Sequence, residues 1–199
     1  GRYDGGRYAD ILLNDDIHQV NADKIGISRR QVKTVTYAFL YGAGNIKLGQ
    51  SFDNTLQPKE ASKKGSEIRK AYVAAIEGLS DLLAAVANKA TKGYLVACDG
   101  RRVLVDSPHK ALNYLLQCSA GIVAKRWMVI ANESINRQFS QASQLAFVHD
   151  ELQYECLPHD INGIKHTLER SAKRAGSYYE LRCPIDAEAK SGRNWSEVH

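Results

Sequence analysis

The 199-residue sequence predicts an α+β fold in which a helical half, about residues 10–97, precedes a mixed half, residues 98–199. Three observations carry that prediction. Up to about Ala90, apolar residues recur at helical spacing and are punctuated by helix caps. After Gly93, two pairs of short apolar runs flank turns at Asp99-Gly100 and at Asp150, the pattern of β-hairpins. Two further helical patterns, His109–Glu133 and one marked by Ile161, Ile164, Leu168 and Ala172, separate and follow the hairpins.

Taken in order, the glycine-rich start (Gly1 to Gly6) is left without an element, and Tyr8–Leu13 can finish a short helix. Asn14-Asp15-Asp16 reads as a turn and N-cap, with Asp16 and Gln19 at capping-box spacing. The helix it starts, Ile17 to about Ile25, carries His18 in its first turn; by position alone, that is a surface or capping histidine. Gly26 stops this helix and Ser28 can cap the next.

That next helix, Arg29 to Tyr41, holds the most informative pattern in the chain. At about 100° per residue, Arg29, Lys33, Tyr37 and Tyr41 form one stripe, while Val32, Val35 and Phe39 cluster on nearly the opposite side. One face can pack while the other presents two cations and then two phenols. At about 1.5 Å per residue the stripe is roughly 18 Å long, the scale of a triphosphate, a sugar and a base. It reads as a nucleotide-binding face.

Gly42-Ala43-Gly44 ends that helix. The run GAGNIKLG lacks the G-K-[ST] ending of a phosphate loop and follows a helix instead of a strand, so it reads as a C-cap and turn. Asn45–Phe52 forms another short helix, and Tyr72, Ile76, Leu79, Leu83 and Val86 mark a long amphipathic one, about Pro58–Ala90, with Gly65 and Gly78 as alternative places for a bend. Its lysines read either as a solvated face or as phosphate contacts. Tyr94–Ala97 and Arg102–Val105 pair around Asp99-Gly100, and Pro108 precedes the His109–Glu133 helix, whose apolar character on most sides suggests burial. Asn113 and Gln117 lie one turn apart on it: two core amides bonded to backbone, or a pair aimed at bases or sugars. Gln144–Leu157 is the second hairpin, Leu181–Ile185 a final strand, and Asp186–His199 a polar tail.

Composition bounds the function. Hydrophobic content of 44% and charged content of 25% are those of a globular protein, and the net charge of +5 favours an anionic partner. The four cysteines form no C-x-x-C pair, which argues against a zinc site or disulfide framework and for reduced, mostly buried thiols. No apolar run approaches the length of a membrane span and the N-terminus has no signal-peptide layout, so a cytoplasmic location is expected.

Asp150-Glu151 is either a solvated turn or part of a metal site, and the apolar runs on each side would anchor it. A hard cation such as Mg²⁺ takes oxygen ligands, and a two-metal site needs carboxylates from separate segments. Asp150 can supply one. The His149-Asp150 pair is also found in metal phosphohydrolases, but those require further histidines on neighbouring helices.

Two motifs now add a resemblance. Arg29, Lys33, Tyr37, Tyr41 and Gly42 spell R-x-x-x-K-x-x-x-Y-x-x-x-Y-G, which resembles motif B of the family A (polymerase-I-type) DNA polymerases, and Val148–Glu151, V-H-D-E, resembles their motif C. DGRRVLVDSPHKALNYLLQ is similar to the family's palm hairpin and following helix, and the opening and closing stretches resemble polymerases of short-tailed phages. The resemblance spans essentially the whole chain, in order. It implies the fingers and palm of a right-hand polymerase: residues 1–97 as a helical fingers subdomain, with a short palm-derived segment at about 1–13, and residues 98–199 as part of an antiparallel-sheet palm.

The resemblance also implies roles. Arg29 and Lys33 would hold the phosphates of an incoming dNTP, with Lys33 also the proton donor to the leaving pyrophosphate; cations there suit charge that grows as the bond breaks. Tyr37 would sit at the sugar, where a Tyr implies tolerance of dideoxynucleotides, Tyr41 near the template base, and His18 near the β-phosphate. Asn113, Gln117 and His149 would meet the primer-template minor groove, whose acceptors are nearly sequence-independent. Asp150 would bind Mg²⁺, two ions in the family, with Glu151 beside it as a catalytic carboxylate.

One departure matters. The family's second metal-binding aspartate belongs to motif A, expected about a dozen residues before Gly1, and the thumb and any exonuclease domain would also lie upstream. The expectation is therefore a template-directed DNA polymerase portion whose partners are primer-template DNA, dNTPs and an upstream polymerase portion, on the same or a separate chain, and which alone is inactive. The alternative is a non-catalytic DNA- or dNTP-binding remnant.

Overall fold

A computed structural model describes residues 2–199, and two compact units divide them. The first holds the chain up to Val96 together with Arg102–Leu116; the second holds Ala97–Arg101 and Gln117–His199.

In the first unit, α1 (Arg7–Asn14), α2 (Ile17–Ile25), α3 (Arg29–Leu40), α4 (Asn45–Phe52), α5 (Pro58–Ala75) and α6 (Leu79–Ala90) follow one another. Their boundaries follow local chemistry. Asp16 caps α2 by accepting from the backbone N–H groups of His18 and Gln19, and Gly26 ends it in the left-handed conformation at φ 76°. Ser28 and Gln31 form a reciprocal capping box at the start of α3. Val35 and Phe39 of α3 pack with Leu48, Ile68 and Tyr72 in one core, the Phe39 and Tyr72 rings 4.9 Å apart.

The long amphipathic stretch is two helices, α5 and α6, bent by 107°. Gly78 makes the bend: its φ is +74°, and a Cβ there would lie 2.5 Å from the Tyr3 carbonyl oxygen. Gly65 serves closeness instead. A Cβ on it would sit 1.9 Å from the carbonyl oxygen of Asn45, so glycine lets the α4 and α5 backbones touch. The antiparallel pair β1 (Tyr94–Val96) and β2 (Arg102–Leu104) packs Leu95 into a second core with Val86, Ala90, Val105, Ala111 and Leu112.

Helix α7 (Ala111–Gln138) starts in the first unit and continues into the second. It is less buried than its apolar sequence suggests: Leu116 and Val129 are 42% and 40% exposed, and burial concentrates at Ala111, Leu112, Ile122, Ala131 and Ile135. The antiparallel hairpin β3 (Ser143–Val148) and β4 (Glu151–Glu155) and helix α8 (Ile161–Tyr178) complete a third core, in the second unit, built on Ile135, Ala142 and Ile164. The Trp127 indole donates to the Leu168 carbonyl at 2.9 Å.

The expected strand at Leu181–Ile185 does not form. No strand lies there to pair its backbone, and Ile185 instead packs on Gly176 of α8, where a Cβ would come within 2.9 Å of its side chain. A short helix, α9 (Trp195–Val198), ends the chain. The four cysteines are all free and half-buried. No single helix among the described residues is long and apolar enough to cross a membrane.

Candidate functional site

The stripe on α3 is exposed along its length. Val32, Val35, Thr36 and Phe39 are buried, while Arg29, Lys33, Tyr37 and Tyr41 face solvent, the two phenols 49% and 65% exposed. Burial of one side by the α3–α5 core therefore fixes which side is offered.

His18 joins this face. Its ring lies 6.3 Å from that of Tyr37, tilted by 52°, and its Nδ1 is buried with no hydrogen-bond partner among the described residues. Arg29 is held from the same helix: its Nε donates to Asp16 Oδ2 at 2.6 Å. The Arg29 guanidinium and then the Gln19 N–H keep the Asp16 carboxyl below the usual carboxylate range. At the far end of α3, Asn113 donates its side-chain amide to the Leu40 carbonyl at 2.8 Å, half-buried. Its Cβ lies 3.7 Å from where a Cβ on Gly42 would stand, and Gly42 has φ +72°. Asn113 thus ties α7 to the end of the stripe helix in a way that its sequence left open.

The second unit carries the other predicted residues. The β3–β4 turn is His149-Asp150, with Val148 opposite Glu151 in the register. His149 adopts φ +55°, a conformation that non-glycine residues rarely take, so the hairpin holds its tip in a defined geometry. Asp150 is exposed. The Glu151 carboxylate is split: Oε2 meets His199 Nε2 at 3.0 Å, while Oε1 is buried without a hydrogen-bond partner among the described residues. His199 in turn stacks on Trp195, centroids 4.2 Å apart at 13°.

Gln117 is exposed at a cleft of about 410 Å³, shared with Arg101, Cys118, Lys125, Arg126 and Tyr179. Arg126 lies 4.0 Å from the Tyr178 ring centroid, and Arg101 pairs with Asp99 at 2.6 Å in the β1–β2 loop. The Asp16, His199 and Arg126 contacts were not anticipated. Asp16 had a visible signal as an N-cap; the partners of the other two are distant in sequence and left none.

The carboxylates can be tested as metal ligands. Asp150 and Glu151 are adjacent hard-oxygen donors, and the orphaned Oε1 is the kind of atom a cation would satisfy. They fit the expected Mg²⁺, although among the described residues no group of three or more His, Cys, Asp or Glu assembles to hold a metal.

Comparison with known proteins defines the class. The profile of DNA polymerase family A matches residues 8–197, and the chain belongs to that family. It is 34% identical to a DNA-directed DNA polymerase of Escherichia phage Phieco32, over 96% of the chain and 32% of that protein. It is 33% identical to that of Escherichia phage T7, over all of the chain and 30% of that protein. The POL domain of Pol1 from M. smegmatis, solved in complex with DNA primer-template and dNTP, shares the fold at TM-score 0.80 and 24% identity, over 98% of this chain and 37% of that one. The chain therefore spans about a third of the length of these relatives.

Proposed function

We propose that the chain is the nucleotide-selecting portion of a template-directed DNA polymerase, fingers at about 1–97 and palm at 98–199, that adds dNTPs to a primer 3′ end. The observation that carries this reading is the exposed α3 stripe, two cations followed by two phenols on a face fixed by a buried core. Arg29 and Lys33 bind the triphosphate, and His18, beside Tyr37, lies at the phosphate end. Lys33 donates a proton to the departing pyrophosphate. Tyr37 packs on the sugar and admits dideoxynucleotides, and Tyr41 packs near the templating base. Asn113, Gln117 and His149 meet the minor groove of the primer-template.

Asp150 would hold Mg²⁺, with Glu151 next to it in sequence as a catalytic carboxylate; the ion when bound would neutralise charge on the reacting phosphates and lower the pKa of the attacking hydroxyl. Because no further carboxylate joins this pair among the described residues, a ligand from outside these residues completes it. The relatives' remaining two thirds is where that ligand and the thumb reside in this reading, and the protein works in the host cytoplasm.

A hydrogen bond to a charged group contributes about 1.5–3 kcal/mol, so Lys33→Ala should weaken dNTP binding roughly 10- to 100-fold in a fluorescence titration, with the fold kept. Unchanged affinity would remove the α3 face from the site. Mg²⁺-dependent primer extension by the isolated chain would show that the carboxylate pair needs no outside ligand.

A further inference from the structure

The α3 stripe runs to the very end of its helix, where Tyr41 is the C-cap residue and its ring is 65% exposed. Periodicity aims that ring only while the last turn stays wound, and the last four carbonyls of a helix lack intrahelical partners. Three of them are taken here. The Ala43 N–H donates to the Ala38 carbonyl at 2.9 Å and the Gly42 N–H to the Phe39 carbonyl at 3.0 Å, a Schellman motif with Gly42 at φ +72°. The Leu40 carbonyl accepts from the Asn113 amide of α7 at 2.8 Å.

The turn that supplies the first two bonds is itself held from α5. Arg69 donates to the Ala43 carbonyl and, through Nε, to Asn45 Oδ1 at 3.0 Å, with its guanidinium carbon 5.4 Å from the Phe39 ring centroid. The side chain is half-buried, and no carboxylate pairs with it among the described residues. Burial pulls its pKa down from the ordinary guanidinium value. A charge drawn partly out of water and given only neutral acceptors is expensive as a stabilising device, but a planar guanidinium can fix two acceptors at once. The α4 and α5 backbones approach closely at Gly49 and Gly65, so Arg69 ties the turn to a locked platform.

We propose that Arg69 is a positioning residue for nucleotide selection: by holding the Gly42–Gly44 turn on α5, it keeps the last turn of α3 wound and fixes the direction in which Tyr41 leaves the helix. The proposal rests on the reading of α3 as the nucleotide face, and it deepens that reading. Ala43 is the link, since its N–H closes the helix end while its carbonyl is gripped by Arg69. Tyr37 and Lys33 lie one and two turns earlier on the wound helix, so releasing the turn disturbs the residue near the templating base and spares the triphosphate contacts.

The test uses the chain joined to its upstream polymerase portion. It measures kcat/KM for a matched and a mismatched dNTP by single-nucleotide extension, with matched dNTP affinity titrated separately. Arg69→Met keeps an apolar stem beside the Phe39 ring and removes the donors. It should lower the matched-to-mismatched ratio roughly tenfold, the order of one charge-assisted hydrogen bond, with matched dNTP affinity within about twofold of wild type. Arg69→Lys, which can reach one acceptor, should recover part of the ratio. In a Tyr41→Ala background Arg69→Met should lower the ratio no further, because the two residues act as one unit. Asn45→Ala loosens the guanidinium and leaves its charge in place; it should act in the same direction more weakly, and it carries the test if the Met variant does not fold.

An equal loss from Arg69→Met in both backgrounds overturns this inference alone, as does wild-type discrimination in both Arg69→Met and Asn45→Ala. A loss of matched dNTP affinity as large as the loss of discrimination also overturns it, since Arg69 would then support the whole helix. Wild-type discrimination in Tyr41→Ala itself overturns it together with the α3 reading.

Discussion

The α3 face and the β3–β4 tip both present functional side chains to solvent, but they are built differently. The α3 residues share one helix, whose buried side packs on Leu48, Ile68 and Tyr72, so regular geometry places every member of the stripe. The tip relies on a two-residue turn with His149 at φ +55°, and its two carboxylates are unequal: Asp150 exposed, Glu151 half-engaged by His199 with one oxygen orphaned. In the proposed reading the first is a binding surface complete within its unit, and the second is part of a site whose Mg²⁺ would take a further ligand from another segment. In the proposed polymerase, binding is thus encoded by one regular element, while catalysis depends on a convergence of separate segments.

Asp150→Ala is the strongest way to break that comparison. In the chain joined to its upstream polymerase portion, kcat should fall roughly 1,000-fold, corresponding to about 4 kcal/mol of lost charge stabilisation. DNA and dNTP affinity should stay near wild type. Single-turnover extension with a separate binding titration separates the two quantities. Full activity after the change would favour the non-catalytic remnant, and an equal loss of binding would make the tip a binding element like α3.

The platform beneath the α3 face predicts a smaller effect that depends on position. Gly65→Ala forces a methyl against the Asn45 carbonyl, so α4 and α5 must separate, at a cost of about 1–3 kcal/mol. Gly121→Ala in α7 meets nothing within 4 Å and should stabilise by up to about 1 kcal/mol through helix propensity. Denaturant unfolding of the two variants checks the pair. Equal and opposite-to-expected shifts would mean that the close approach of α4 and α5 is not what Gly65 serves.

The same contrast explains what could be read from the sequence. Asp16, Gly26, Ser28 and Gln31 announced the ends of α2 and α3 because caps act within three or four residues. The stripe was legible because helix periodicity alone sorts Arg29, Lys33, Tyr37 and Tyr41 from Val32, Val35 and Phe39. Gly65 and Gly78 were equivalent as bend candidates, since only tertiary contact tells a backbone touching point from a left-handed corner. Leu181, Cys183 and Ile185 alternate like a strand, yet an alternating segment without a partner strand packs its apolar side chains elsewhere, as Ile185 does on Gly176. The Glu151–His199 contact joins residues 48 apart and had no local signature.

The smallest expected effect concerns Arg29, whose guanidinium rests on Asp16. Asp16→Asn keeps a competent N-cap and removes the charge, so it isolates this contact. Because the Asp16 pKa is lowered in the folded state, the contact's contribution is fully present above the unfolded value, about 4, and is lost as pH falls through the folded value. The variant should therefore unfold slightly more easily at neutral pH and match the wild type in strong acid, a difference that salt diminishes because the pair is exposed. Its dNTP affinity tells more. In the proposed reading Asp16 competes with a triphosphate for Arg29, so removing its charge should tighten binding at low salt by a factor of about two or three. Weaker binding in the variant would instead mean that Asp16 orients Arg29 toward the phosphates, which would make the α3 face dependent on a second element, as the β3–β4 tip is.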